Sequence, residues 1–222
     1  MTFCDQINYA VPTNPTNFSK ADLTLWYNDQ ATKQFQFFEN SLQQVACNTT
    51  ADAQYSLAVT CNDCTQAYKN WLCAVMAPRC DDFSSTKTYL QPRAVGQPFT
   101  NGSSGDGNQN PLFNSTYQSL AAYNSSRNPL IDQHMAPGPY KEHLPCGDLC
   151  YRLVQTCPAV MGFACPYDPQ GYNMSYGYPE MDGQNPKCNF PGHVFGVSRG
   201  AAVRPLMFVV LGIVGLASVA IG

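Results

Sequence analysis

Eleven cysteines, Cys4, Cys47, Cys61, Cys64, Cys73, Cys80, Cys146, Cys150, Cys157, Cys165 and Cys188, constrain this 222-residue chain more than any other feature. That density exceeds what a cytosolic protein with reduced thiols ordinarily carries. Three chemistries compete for them. Cys61-x2-Cys64-x8-Cys73-x6-Cys80 has the paired short spacings with which four thiolates chelate zinc. Cys61-Asn62-Asp63-Cys64 has the form of a redox dithiol, which works in a βαβ setting that this stretch lacks. Structural disulfides are the third reading, and they are favoured wherever a chain leaves the cytosol.

Export is what the remaining targeting cues indicate. Six Asn-x-Ser/Thr acceptor sites begin at Asn17, Asn48, Asn101, Asn114, Asn124 and Asn173, while Asn14 is excluded by Pro15. The opening MTFCDQINYA has neither the basic nor the apolar part of a signal peptide. The chain is therefore expected to begin downstream of one, with an upstream portion missing. At the other end, residues 205–222 are uncharged and strongly apolar. As a helix they would span roughly 27 Å, barely a bilayer core. Arg199 and Arg204 precede this tail, so a simple span would leave the cysteine-rich part inside. A cleaved GPI signal removes that conflict, with attachment at Gly196 or Ser198 and residues 192–204 as linker; a single membrane span is the alternative.

Charge excludes one class outright. Only 12% of residues are charged and the formal net charge is −3, so no basic field is present to attract nucleic acid.

Apolar periodicity predicts a mainly α fold. Tyr27, Ala31, Phe35, Phe38, Leu42 and Val45 form one stripe on a first helix, with Ser19 and Asp22 as its cap. A second helix is expected over Cys61–Met76, its face carrying Cys61, Cys64, Tyr68, Trp71, Leu72 and Val75, and Pro78 ending it. A third follows Pro145 with Cys146, Cys150, Leu153, Val154 and Cys157 on one face. Residues 91–131 lack such periodicity and hold three of the acceptor sites, so they read as a long, irregular, glycosylated insertion. Asp106-Gly107-Asn108-Gln109-Asn110 is a poor calcium loop, having Pro111 where Gly is needed and Tyr117 where Glu is needed. No hydrolase signature occurs, and His134, His143 and His193 read as solvated histidines. Asp81, Asp82, Asp148 and Glu180 form no acid/base couple that sequence can identify. No enzyme, cofactor or metal site is expected.

Cys64-TQAYKNWL-Cys73-AVMAPR-Cys80, LPCGDLCYRLVQTCPAVMGFACP and Lys187-Cys188-Asn189-Phe190-Pro191 resemble the motifs of frizzled-type cysteine-rich domains, as does Cys4-x4-Tyr9 with Pro12-Thr13-Asn14. Within that class FCDQINYAVPTNP, CNDCTQAYKNWLCAVMAPRC and LPCGDLCYRLVQTCP look like the C-terminal cysteine-rich region of the fungal stretch-activated calcium-channel component, the auxiliary subunit of the high-affinity calcium influx system. The resemblance runs over residues 4–191 and implies a small disulfide-stapled helical domain at 1–191. The frizzled pattern implies Cys4–Cys73 and Cys64–Cys157. Cys146 and Cys150 then take the two later cysteines, most simply as Cys146–Cys188 and Cys150–Cys165. Cys47 and Cys61 are additional to the pattern and would pair together. Cys80 is left single, because its frizzled counterpart pairs with a cysteine upstream of the one Cys4 matches.

The same resemblance implies function: a non-catalytic subunit on the outer face of the plasma membrane, reached through the endoplasmic reticulum, that pairs with a large pore-forming calcium channel protein of the voltage-gated type and supports calcium influx. Exposed aromatics are the expected contacts, and PYDPQGYNMSYGYPEM is the richest source, with Tyr167, Tyr172, Tyr176 and Tyr178. The alternative is a frizzled-like surface module that binds a lipid or acylated ligand in a groove.

Overall fold

A computed structural model describes residues 1–45, 56, 58–102 and 124–193. Among them, helix dominates. The first helix, α1 (Lys20–Leu42), starts at a reciprocal cap in which the Ser19 side chain accepts from the Asp22 amide and the Asp22 carboxylate accepts from the Ser19 amide. Its buried stripe is Tyr27, Ala31, Phe35, Phe38 and Leu42. Val45, expected on that stripe, lies beyond the helix in a turn, since α1 ends at Leu42.

The second helix, α2 (Cys61–Met76), repeats the device with Thr60 and Asp63, and it stops immediately before the Ala77-Pro78 pair. Of the expected face Cys64 and Leu72 are buried and Cys61, Tyr68, Trp71 and Val75 only partly so, while Cys73, not assigned to that face, is buried too. Phe38 of α1 stacks on Tyr68 of α2 with ring centroids 3.8 Å apart and planes 6° from parallel.

After α2 the chain forms a three-stranded antiparallel sheet from β1 (Arg79–Asp81), β2 (Gln91–Arg93) and β3 (Tyr140–His143), in the order β1-β3-β2. Cys80 stands opposite Glu142 in one pair, and Gln91 opposite Glu142 in the other. A short helix, α3 (Pro129–Met135), precedes β3 and sends Ile131 and Met135 against Tyr27 and Ala77.

These elements amend the expectation for residues 91–131. Its two ends belong to the folded body: Arg93, Ala94 and Val95 are buried on one side, Ser126 and Ile131 on the other. They escaped detection because a three-residue strand and a seven-residue helix are too short to establish a period. Asp106 and the rest of the calcium-like loop fall outside the described residues.

The third long helical segment, α4 (Gly147–Thr156), packs on α2 and buries Leu149, Cys150 and Leu153. Val154, assigned to the same face by spacing, is 40% exposed, because the seam follows Leu149, Cys150 and Leu153. The remaining elements are a single 3-10 turn over Ala159–Met161, the helix α5 (Pro169–Ser175), and a small hairpin of β4 (Met181–Asp182) and β5 (Asn185–Pro186).

Four disulfides with both partners among the described residues cross this framework: Cys4–Cys73, Cys64–Cys157, Cys146–Cys188 and Cys150–Cys165. The first two lie within the main core with Phe35, Phe38, Leu72 and Leu153. Cys61 is also disulfide-bonded, and Cys47, its expected partner, lies outside the described residues. Cys80 is a free thiol.

Candidate interaction surface

The aromatic segment after Cys165 is held from both sides by sulfur. Cys150–Cys165 ties its beginning to α4, and Cys146–Cys188 ties the chain beyond it to the start of the same helix. Between these anchors Asp168 caps α5 by accepting from the Gly171 amide, which directs Tyr172 inward. Tyr172 reaches the first turn of α4 so closely that a Cβ on Gly147 would sit 1.8 Å from its hydroxyl. Only glycine leaves that room. Gly177 makes a second close approach: its amide donates to Pro145 O and its carbonyl accepts from the Gly147 amide, and a Cβ there would lie 2.8 Å from Cys188 Cβ.

The four tyrosines expected as contacts therefore divide. Tyr172 and Tyr176 are buried beside Cys150, and Tyr176 accepts a hydrogen bond from Trp71 Nε1 at 2.9 Å. Burial leaves these two little surface to offer a partner. Tyr167 is 98% exposed and Tyr178 52%. Tyr151, which sequence reading passed over, is 46% exposed and stacks on Tyr172 with centroids 6.2 Å apart, while Tyr178 packs on the same ring at 5.1 Å. The signal for Tyr151 was available: on an amphipathic α4 it precedes exposed Val154 by one turn on the outward face.

The result is a tyrosine face with Tyr172 at its centre and Tyr151 and Tyr178 presenting their rings to solvent. Burial, and then the nearby Tyr151, Tyr178 and Asp148, raise the Tyr172 hydroxyl above the ordinary tyrosine range, so it stays neutral. The hairpin edges the same end of the molecule, with exposed Met181, the Lys187–Glu180 ion pair at 2.7 Å, and Tyr89 donating to Asp182 at 2.8 Å.

Burial, followed by Asp81 and Glu142, pushes the Cys80 thiol up to about 12, so the nucleophilic thiolate is not populated at neutral pH. His143, read as solvated, is instead 2% exposed at the end of β3, with Nε2 3.9 Å from Asp81 Oδ2. Burial pulls it down to about 4, with Arg79 and Lys87 reinforcing the effect. His134 packs against Trp26 and His193 lies in the turn after Phe190. Among the described residues no group of three or more His, Cys, Asp or Glu side chains could hold a metal ion.

One charged group that sequence missed is Glu142. It is fully buried and bridges Arg93 Nε at 2.5 Å and Arg127 Nε at 2.6 Å. No local pattern marks it, since its partners stand 49 and 15 residues away.

Of the acceptor asparagines, Asn17, Asn101, Asn124 and Asn173 are exposed, whereas Asn48 and Asn114 lie outside the described residues. So do Gly196, Ser198 and the tail 205–222. Among the described residues no helix is long and apolar enough to cross a membrane.

A family model described as a stretch-activated Ca2+-permeable channel component matches residues 1–194. The chain is 38% identical over 206 residues to the stretch-activated cation channel yam8 of Schizosaccharomyces pombe, covering 92% of this chain and 36% of that protein. It is 32% identical over 199 residues to the stretch-activated cation channel MID1 of Saccharomyces cerevisiae, covering 87% and 30%. The Cryptococcus neoformans protein of the same name is 29% identical over 167 residues, covering 75% and 24%. The chain thus spans about a third or less of the length of these relatives. No solved structure matches it.

Proposed function

We propose a role from one premise: the chain belongs to the Mid1 family of stretch-activated Ca2+-permeable channel components. In this reading the cysteine-rich body is a non-catalytic auxiliary domain outside the cytosol. It docks on a large pore-forming calcium channel subunit of the voltage-gated type and supports calcium influx there. Residues 205–222 would keep it at the membrane, through a GPI anchor at Gly196 or Ser198 or as a single span. Glycans on the acceptor asparagines would mark the faces left free.

The observation that carries the docking role is the tyrosine face: Tyr151 and Tyr178 stack on a buried tyrosine that two disulfides hold in place. Rigid, half-exposed tyrosines give contact area at little entropic cost, which is what binding hot spots require. The test is co-purification of the full-length protein with its channel from membranes, comparing wild type with Tyr151→Ala/Tyr178→Ala. Loss of two such anchors should weaken recovery by about tenfold or more. Undiminished recovery of the channel, with the variant folded and exported normally, would remove the tyrosine face from the interface.

A lipid- or acyl-binding module is the second reading, and one feature favours it. A groove of about 760 Å³ runs between the end of α1 and the 3-10 turn, lined by Phe37, Phe38, Tyr68, Val160, Met161 and Phe163. Phe37 and Val160 stand 65% and 80% exposed on its rim. Saturable uptake of a fluorescent fatty acid, abolished by Phe37→Asp, is the expected result if that reading holds.

A further inference from the structure

Beside the start of α1 lies a second groove, of about 670 Å³, bordered by Asn17, Phe18, Asp22, Trp26, Asp29 and His134. Its floor is aromatic. Trp26 and His134 are stacked, with centroids 5.2 Å apart and planes 5° from parallel, and Phe18 leans on His134 at 5.4 Å. His134 lies on the solvent side of α3, exposed, so the stack presents a ring outward. Its rim carries acceptors at Asp22 and Asp29 and an asparagine that heads an acceptor triplet, Asn17-Phe18-Ser19.

We propose that this groove seats the first N-acetylglucosamine of a glycan carried by Asn17. The occupant follows from the attachment point: a sugar bonded to Asn17 Nδ2 begins at the mouth of the groove and needs no affinity of its own to reach it. The amide is available in the folded chain. Asn17 is exposed and its backbone N–H donates to Asn14 O at 3.1 Å, while the Thr16 hydroxyl beside it donates to Asn14 Oδ1 at 2.5 Å, which leaves the Asn17 side-chain amide at the surface with Nδ2 to carry the sugar. Attachment consumes a lipid-diphosphate-linked oligosaccharide. The amide nitrogen bonds to the anomeric carbon and loses a proton, and the lipid diphosphate leaves. A pyranose then offers one face of C–H groups, which stacks on aromatic rings, and an edge of hydroxyls, which Asp22 and Asp29 accept. The consequence is mechanical: the sugar would pin the first turns of α1 to α3.

The proposal rests on the extracytoplasmic placement argued above. Its test uses the full-length glycoprotein purified from membranes, trimmed by an endoglycosidase that leaves one N-acetylglucosamine per site, as wild type, Asn17→Gln, His134→Ala and the double variant. Site occupancy is read by glycopeptide mass spectrometry, and thermal unfolding and amide exchange are measured on all four. Losing the sugar should lower Tm by about 2–4 °C. It should also speed exchange in the first turns of α1 several-fold. In the His134→Ala background Asn17→Gln should change neither quantity. An equal loss in both backgrounds, or no loss in either, would overturn the groove as the seat. Sugar at Asn101, Asn124 or Asn173 with Asn17 bare would overturn it too, while leaving the extracytoplasmic reading intact. No sugar at any site would remove both.

Discussion

His143 behaves as a neutral group because of where β3 ends. Water is excluded, and the Arg79 and Lys87 charges oppose a third cation more than Asp81 invites one. Its proton affinity in the folded state, about 4, lies below the ordinary 6.5. The unfolded chain therefore takes up a proton between those values while the folded chain does not. Stability from this group is complete above pH 6.5 and declines as pH falls toward 4, by roughly 3 kcal/mol across the window. Asp81, where burial's upward push is outweighed by the hydrogen bond from Lys87 and by its other partners, titrates below the ordinary carboxylate range and so outside that window. Tm measured from pH 7 to pH 4 should fall less steeply in His143→Gln than in wild type. Parallel curves would mean that His143 is solvated in solution.

Gly147 poses the opposite kind of constraint, steric rather than electrostatic. Its missing Cβ is the space that Tyr172 occupies, and the nearest atom is a hydroxyl at the end of a ring wedged among Tyr151, Tyr176 and Tyr178. Gly147→Ala should push Tyr172 out and with it disorder the tyrosine face, leaving α1 and α2 in place. The expected signature is a loss of near-ultraviolet tyrosine dichroism with helical dichroism retained, together with the same loss of channel recovery as the double tyrosine variant.

At the scale of elements, the disulfides differ in what they contribute, and loop length ranks them. Cys64–Cys157 spans 93 residues and joins α2 to the end of α4, whereas Cys150–Cys165 spans 15 and fastens only the start of the aromatic segment. Restricting the unfolded chain is worth about 4.6 kcal/mol for the long loop and about 3 kcal/mol for the short one. Cys64→Ala/Cys157→Ala should thus lower the unfolding midpoint in urea more than Cys150→Ala/Cys165→Ala, and only the latter should spare the α2–α4 core. The long helices were legible because their information is local. α1 shows both its stripe and its cap within 24 residues of sequence, and α2 shows a cap, a stripe and a terminating proline. The division of the tyrosines was not legible. Which ring of α5 turns inward depends on the gap at Gly147, some 25 residues earlier, and no periodicity within a seven-residue helix encodes it.

For the molecule as a whole, the question is what joins the ends of the segment between β2 and α3 to the helical body. Glu142 does so with charge. Arg93 reaches it from the end of β2, and Arg127, just before α3, reaches it from the other side while also donating to Ser175 O at the end of α5. One carboxylate thus ties the sheet, both stems of residues 94–126 and the base of the tyrosine face. Ser126 and Tyr140 extend the tie, since Ser126 donates to Asp132 and accepts from the Tyr140 hydroxyl. Burying these charges brings little net stability by itself, because desolvation offsets most of the attraction. Removing one partner is different. Glu142→Ala would take the carboxylate away from the buried Arg93 guanidinium, 4% exposed, a loss of about 3–5 kcal/mol. The expected outcome is a chain that still forms its helices, is cut by protease between Arg93 and Arg127 much faster than wild type, and shows the tyrosine face loosened through Ser175. Replacing all three charges with apolar residues of similar volume, Arg93→Met, Arg127→Met and Glu142→Leu, should recover most of the thermal stability, because no orphaned charge then remains. If Glu142→Ala alone resists protease as wild type does, the clasp is ornamental, and the disulfides suffice to hold the stems.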